Sequence, residues 1–245
     1  YRRKLIENNH SATHLLHAAL RKVLGSHVQQ KGSLVKEDAL RFDFSHFQKM
    51  DADQILKVEQ LVNEKIRENI VREEKRKIPI DEAKKAGAMM LFGEKYGDQV
   101  RMITFDPAYS IELCGGCHVE TTGQIGYFKI TSESAIAAGI RRIEAVSALK
   151  AEQLIEQQFE TVDKIRHLLK NPIDITQSVQ QLLDENKHLE KVILELKEAH
   201  ANSLKANLLA SFQMNNGIHY LVNQIELDDS KLVKNLVYQL AQEKN

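Results

Sequence analysis

Glycine divides this chain in two. Of its eleven glycines, ten precede residue 140, and Gly217 alone follows. Glycine makes the sharp reversals that pack short elements together, so the first part can turn often. The remainder is confined to long, uninterrupted elements, and its charge-rich composition suits helices. A boundary is expected near residue 148. It separates a mixed domain at 1–148 from a helical linker at 149–212 and a further piece at 213–245.

In the first part, residues 10–24 place Leu16, Ala19, Leu20 and Val23 at helical spacing, with Asn8 or Asn9 as N-cap and Gly25 as the stop. Residues 40–44 alternate as a half-buried strand does. A long helix is expected over 51–77, with Ile55, Val58, Val62, Ile66 and Ile70 on one face and Pro79 after its end. Its charged run from Arg72 to Lys77 reads as a solvated face. A short helix at 81–87 follows, then strands at 99–105, 109–113, 123–131 and 139–147. Helices leading into strands give an α+β fold, with helices packed on a largely antiparallel sheet.

The second part reads as a long α-helical hairpin. Ile155, Phe159, Val162, Ile165 and Leu169 mark one helix, and Asn171-Pro172 breaks it. Thr176 or Ser178 caps the next, where Leu182, Asn186, Leu189, Ile193, Leu196 and His200 follow a heptad rhythm. Self-association through this segment is one use for such a stripe. A terminal strand–helix unit, with a strand over 218–227 and an acidic N-cap at Asp228, is too small to bury its own apolar surface. It is expected to be the start of a further domain.

Charge narrows the function classes. Lys+Arg and Asp+Glu number 34 each, so no overall basic field points to nucleic acid and any RNA contact has to be local. No apolar run approaches the roughly 18–20 residues of a membrane span, so no membrane partner is expected. Both cysteines, Cys114 and Cys117, sit in one motif, which excludes a disulfide scaffold and suits a reduced, cytoplasmic setting.

The chemistry lies in two pairs. His10 and His14 are four apart in a helix and therefore share a face, about 5–6 Å between Cβ atoms. Cys114 and His118 flank a Gly115-Gly116 turn that lets both side chains converge. Together, two imidazoles from a helix and a sulfur plus imidazole from a turn make a tetrahedral set suited to Zn2+. Cys117 stands beside Cys114 as a second possible sulfur donor. His17, His27 and His46 read as structural or surface histidines.

Several strings carry a family resemblance: NHSATHLLHAALR at 9–21, VQQKGSLV at 28–35, LRFDFSH at 40–46, ELCGGCH at 112–118 and GIRRIE at 139–144. In this order they resemble the editing domain of the alanyl-tRNA synthetase family. The resemblance implies that 1–148 is an aminoacyl-tRNA deacylase. It would hydrolyse the ester of tRNA(Ala) mischarged with serine or glycine, the Ser-tRNA(Ala) and Gly-tRNA(Ala) that a pocket sized for alanine rejects poorly. The family's metal ligands fall on His10, His14, Cys114 and His118, and a glutamine of its editing site falls on Gln30. Asp43 and Thr13 are further polar candidates at the catalytic site. The helical linker and the start of a C-terminal domain would follow, and ATP and Mg2+ would belong to an aminoacylation domain outside this span.

Four protein ligands resemble a closed structural site more than an open catalytic one. The ion therefore either yields a position to water or holds the end of the tRNA while groups such as Gln30 place the water. Three rivals stand beside this reading. A threonyl-tRNA synthetase-like domain shares the spacing but usually carries Arg-Gly-Pro where this chain has Gly-Gly-Cys. The others are a free-standing editing protein and a non-catalytic structural-zinc module with an oligomerisation arm.

Overall fold

The computed structural model describes residues 1–90, 96–227 and 229–243. The chain splits into two compact units, Tyr1–Thr161 and Val162–Asn245.

The first unit is α+β, as expected. Helix α1 (Arg2–Leu24) leads into strands β1 (Gln30–Val35) and β2 (Leu40–Ser45), helix α2 (Ala52–Arg67), strand β3 (Glu73–Pro79) and helix α3 (Ile80–Lys85). Strands β4 (Gln99–Phe105), β5 (Ser110–Leu113), β6 (Phe128–Ala137) and β7 (Ile140–Ser147) complete it before helix α4 (Ala148–Leu168) begins. The strands form two antiparallel sheets rather than one, in the orders β1-β2-β7-β6 and β3-β4-β5. Leu15, Leu16 and Leu20 of α1 and Val58 and Val62 of α2 bury against Phe42, Phe44, Phe105, Phe128 and Ile143.

Helix α1 starts eight residues before the expected point, so Asn9 is not a cap. It is buried, and its side chain donates to the Lys36 carbonyl (2.9 Å) and accepts from Ser147 Oγ (2.7 Å). That amide ties α1 to the β1–β2 turn and to the end of β7. The long helix expected over 51–77 is a shorter helix followed by a strand. Asp51 caps α2 in a reciprocal box with Gln54, and the helix ends at Arg67, just before Asn69 turns to φ 49°. The charged run beyond it is β3, an edge strand against β4. Period-2 placement sends Arg72 and Glu74 to one side and leaves Lys75 and Lys77 exposed, a split no helix would make. The strand expected at 123–131 starts later, because residues Thr122–Ile125 form a 3-10 turn.

In the second unit, helix α5 (Ile175–Leu209) is capped by Asp174, whose carboxylate accepts from Gln177 N (2.9 Å), rather than by Thr176 or Ser178. Its heptad residues Leu182, Leu189, Ile193 and Leu196 lie exposed. Of the strand expected over 218–227, only β9 (Ile218–Tyr220) forms, and it pairs in a hairpin with an unexpected strand before it, β8 (Gln213–Asn215). Asn216 and Gly217 both take positive φ, 49° and 80°, as a two-residue hairpin turn requires. Helix α6 (Ser230–Gln242) packs Leu236 and Leu240 against Leu208 of α5. Its cap is Asp229; the expected cap, Asp228, lies outside the described residues. Among the described residues no helix is long and apolar enough to cross a membrane.

Candidate metal centre

Buried apolar residues hold α1 in place, and the neighbouring face of the helix carries His10 and His14 inward. The turn after β5 brings Cys114 and His118 to the same point across more than 100 residues of sequence. The ring of His118 lies 4.3 Å from that of His10 and 4.6 Å from that of His14, centroid to centroid. Cys114 Sγ sits 3.5 Å from His10 Nε2 and 3.3 Å from His118 Nε2. One ligand atom from each of the four residues lies within 4.8 Å of all the others. A tetrahedral zinc with bonds of 2.0–2.3 Å needs its ligand atoms about 3.4–3.7 Å apart, so little adjustment is required. The donor set fits the ion: soft sulfur, borderline nitrogen and no carboxylate.

The surroundings keep the nitrogens free to coordinate. Burial pushes the His118 pKa down to about 3, helped by the charges of His10 and Arg101. Burial also lowers His14 well below its ordinary range, and His10 less, because a hydrogen bond to the Cys117 backbone opposes it. His14 Nδ1 is buried without a hydrogen-bond partner. Burial raises the Cys114 thiol, and a metal reverses that by taking the thiolate.

Neighbours orient the ligands. Ser11 Oγ lies 3.3 Å from His118 Nδ1 and accepts from Val119 N (3.1 Å), which ties the ring to α1. Such an outer partner fixes which nitrogen faces the metal. Gly116 N donates to Cys114 Sγ (3.4 Å). A Cβ on Gly116 would fall 2.0 Å from His10 Cε1, so only glycine lets that ring lie on the turn.

Arg101 and Arg72 grip the turn from outside, and both contact Glu74, whose carboxyl is held down at about 2, chiefly by Arg101 and then Arg76. A cleft of about 900 Å³ opens beside the turn, lined by Arg3, Lys4, Arg72, Arg101, Cys117 and His118 among others.

The structure therefore brings together His10, His14, Cys114 and His118. Cys117 lies on the cleft wall and its sulfur is not in the quartet. The polar atoms of the remaining candidates are engaged elsewhere. Gln30 opens β1 and donates to Ser33 Oγ (3.2 Å). Buried Asp43 accepts from Arg142 Nε (2.7 Å) and Nη2 (2.9 Å), and Thr13 donates to the Asn9 carbonyl (2.8 Å). His17 pairs with buried Glu112 (3.4 Å), and exposed His27 and half-buried His46 face one another at 3.0 Å.

Residues missed in the sequence are Ser11, Gly116 as a contact surface, Arg72, Glu74 and Arg101. A signal existed for two of them: Arg72 and Glu74 are opposite charges two apart, which a strand places on one side. Nothing in the sequence pointed to Arg101.

This fold and site define a class. Residues 100–144 match the family described as threonyl and alanyl tRNA synthetase second additional domain. Within it, the similarity is to alanine–tRNA ligases. The enzyme of Cytophaga hutchinsonii is 53% identical over 240 residues, which cover 98% of this chain and 27% of that protein. Those of Flavobacterium psychrophilum and Bacteroides fragilis are 52% and 48% identical, over 91% and 96% of this chain. The chain belongs to the alanyl-tRNA synthetase family over the segment it spans, about a quarter of the length of these relatives. The likeness continues past residue 148, beyond the motifs that first carried it.

Proposed function

We propose that residues 1–148 are an aminoacyl-tRNA editing domain. In this reading they hydrolyse the ester of Ser-tRNA(Ala) and Gly-tRNA(Ala) at a site holding Zn2+ through His10, His14, Cys114 and His118. The observation that carries the reading is the convergence of those four donors. Zinc in such a set supplies Lewis acidity, either to a bound water or to an oxygen of the terminal ribose. The rest falls to side chains. Three imidazoles kept neutral by burial offer lone pairs instead of positive charge. The cleft beside His118 admits the end of the RNA, with Arg3 and Lys4 at its wall to meet phosphate. In this reading Gln30 turns from Ser33 to hold the attacking water, Thr13 stays bonded within α1, and Asp43 ties β2 to β7 through Arg142. Water adds to the ester carbonyl, and the ribose oxygen leaves with the proton.

The remainder of the chain fits the same reading. Residues 149–212 act as a linker whose exposed α5 stripe serves self-association, and 213–245 begin a C-terminal domain. The complete protein, cytoplasmic, would join alanine to tRNA(Ala) with ATP and Mg2+ in a domain outside this span.

The test compares zinc-loaded chain on three substrates. Ser-tRNA(Ala) and Gly-tRNA(Ala) are deacylated, Ala-tRNA(Ala) is spared, and Cys114→Ala falls to background. Unchanged deacylation in Cys114→Ala would remove the metal from the mechanism. No turnover of any substrate, with chelation unfolding the domain, would leave a structural-zinc module.

A further inference from the structure

We propose that Arg101 and Arg72 are positioning residues that clamp the Cys114–His118 turn through its backbone carbonyls, presetting the sulfur and imidazole for the metal. The inference rests on the metal centre of the reading above, and not on its hydrolytic activity.

The β4–β5 ladder ends at the pair Met102–Leu113. One residue further, Cys114 N still donates to the Arg101 carbonyl (3.2 Å), and there the backbone pairing stops. The Arg101 side chain continues the work. Its Nη1 donates to the carbonyls of Cys114 (3.0 Å) and Gly116 (2.5 Å), spanning the Gly-Gly turn like a staple. From just before β3, Arg72 Nη1 donates to the His118 carbonyl (2.6 Å). Three of the five carbonyls between Cys114 and His118 are thus held by two guanidinium groups.

The arginines are themselves fixed. Arg101 Nε donates to Glu74 Oε1 (2.8 Å), and Arg72 Nη2 lies 3.4 Å from Glu74 Oε2. All three side chains are largely buried, 23%, 22% and 13% exposed, which makes a surface pair's weak coupling the wrong comparison. Nη1 serves both carbonyls while Nε, in the same rigid plane, serves the carboxylate; an ammonium has one nitrogen and cannot occupy both places.

A turn with two glycines has high conformational freedom, and left alone it would lose that freedom only when metal bound. The clamp removes it beforehand. Outer partners of metal ligands are typically worth about 10–100-fold in affinity, and the same range is expected here.

Cobalt(II) titration of the whole chain tests this, followed by zinc competition. Arg101→Met and Arg101→Lys are each expected to weaken cobalt binding about 10–100-fold and to shift its visible ligand-field bands, with apo unfolding still cooperative. Lysine keeps the charge, so failure of rescue separates the fork from simple electrostatics. Wild-type affinity in Arg101→Lys, or affinity within about threefold in Arg101→Met, overturns the clamp. If Arg101→Met does not fold, Arg72→Lys gives the answer: weaker cobalt binding supports the clamp and unchanged binding overturns it. A wild-type chain that binds no cobalt refutes the metal centre itself. One that binds it but never deacylates tRNA leaves the clamp standing.

Discussion

Gly116→Ala should weaken metal binding sharply while barely touching the fold. The added Cβ would sit 2.0 Å from His10 Cε1 and 2.5 Å from His10 Nδ1. Restoring an ordinary 3.4 Å contact forces the ring to withdraw by about 1.4 Å. A metal–nitrogen bond is only about 2.0–2.1 Å long, so such a withdrawal breaks it. Four-ligand zinc sites bind with about 10–16 kcal/mol, so one ligand of four is worth about 2.5–4 kcal/mol. At 1.36 kcal/mol per decade this is a loss of about 10²–10³ in affinity. Gly115 is the internal control, since a Cβ there meets nothing within 4 Å. Neither glycine has the left-handed φ that would penalise alanine, so the variants differ only in what the methyl touches. Competition titration against a zinc chelator, with urea unfolding of the metal-free proteins alongside, reads both quantities. Gly115→Ala should match wild type. Equal zinc affinity in the two variants would refute the reasoning, because it would mean His10 is not held on Gly116 in the bound state.

Two further outcomes follow from the same geometry. Metal-free protein should lose stability on acidification: His10, His14 and His118 have folded pKa values below the ordinary 6.5, so the unfolded chain binds more protons, and their contribution, complete above pH 6.5, declines as pH falls towards about 3. His118 alone, with its folded pKa at about 3, costs about 1.4 kcal/mol at pH 5.5, and a urea midpoint that stays flat from pH 7.5 to 5.5 would contradict the burial of these imidazoles. Ser11→Ala should weaken metal binding about tenfold and destabilise the first unit by about 1–3 kcal/mol, because Val119 N is left buried without its acceptor. Calorimetric zinc titration and thermal unfolding measure the two effects, and an unchanged affinity would show that His118 needs no outer partner.

Much of this was legible in one dimension because it is local or periodic. The pair His10 and His14 follows from 3.6 residues per turn, and the pair Cys114 and His118 from a glycine turn between donors. Strand β2 announced itself by alternation. The fate of the run from Arg72 to Lys77 was not legible, since helix and strand were both open to a charged stretch and only pairing with β4 decided between them. The turn signal at Asn216-Gly217 stood openly in the sequence, but the strand before it, β8, is three exposed residues long and too short to show a pattern.

By itself, the sequence determined which atoms could bind a metal and which segments would present them, because ligand chemistry and helical spacing are properties of neighbours along the chain. The tertiary structure alone decided that Cys114, and not Cys117, meets the imidazoles, that Gly116 must lack a side chain, and that Arg101 and Arg72 hold the turn. Those three facts depend on contacts between residues far apart in the chain. Such contacts have no period to read, since they arise only when burial of the core brings α1, β3, β4 and the turn after β5 together.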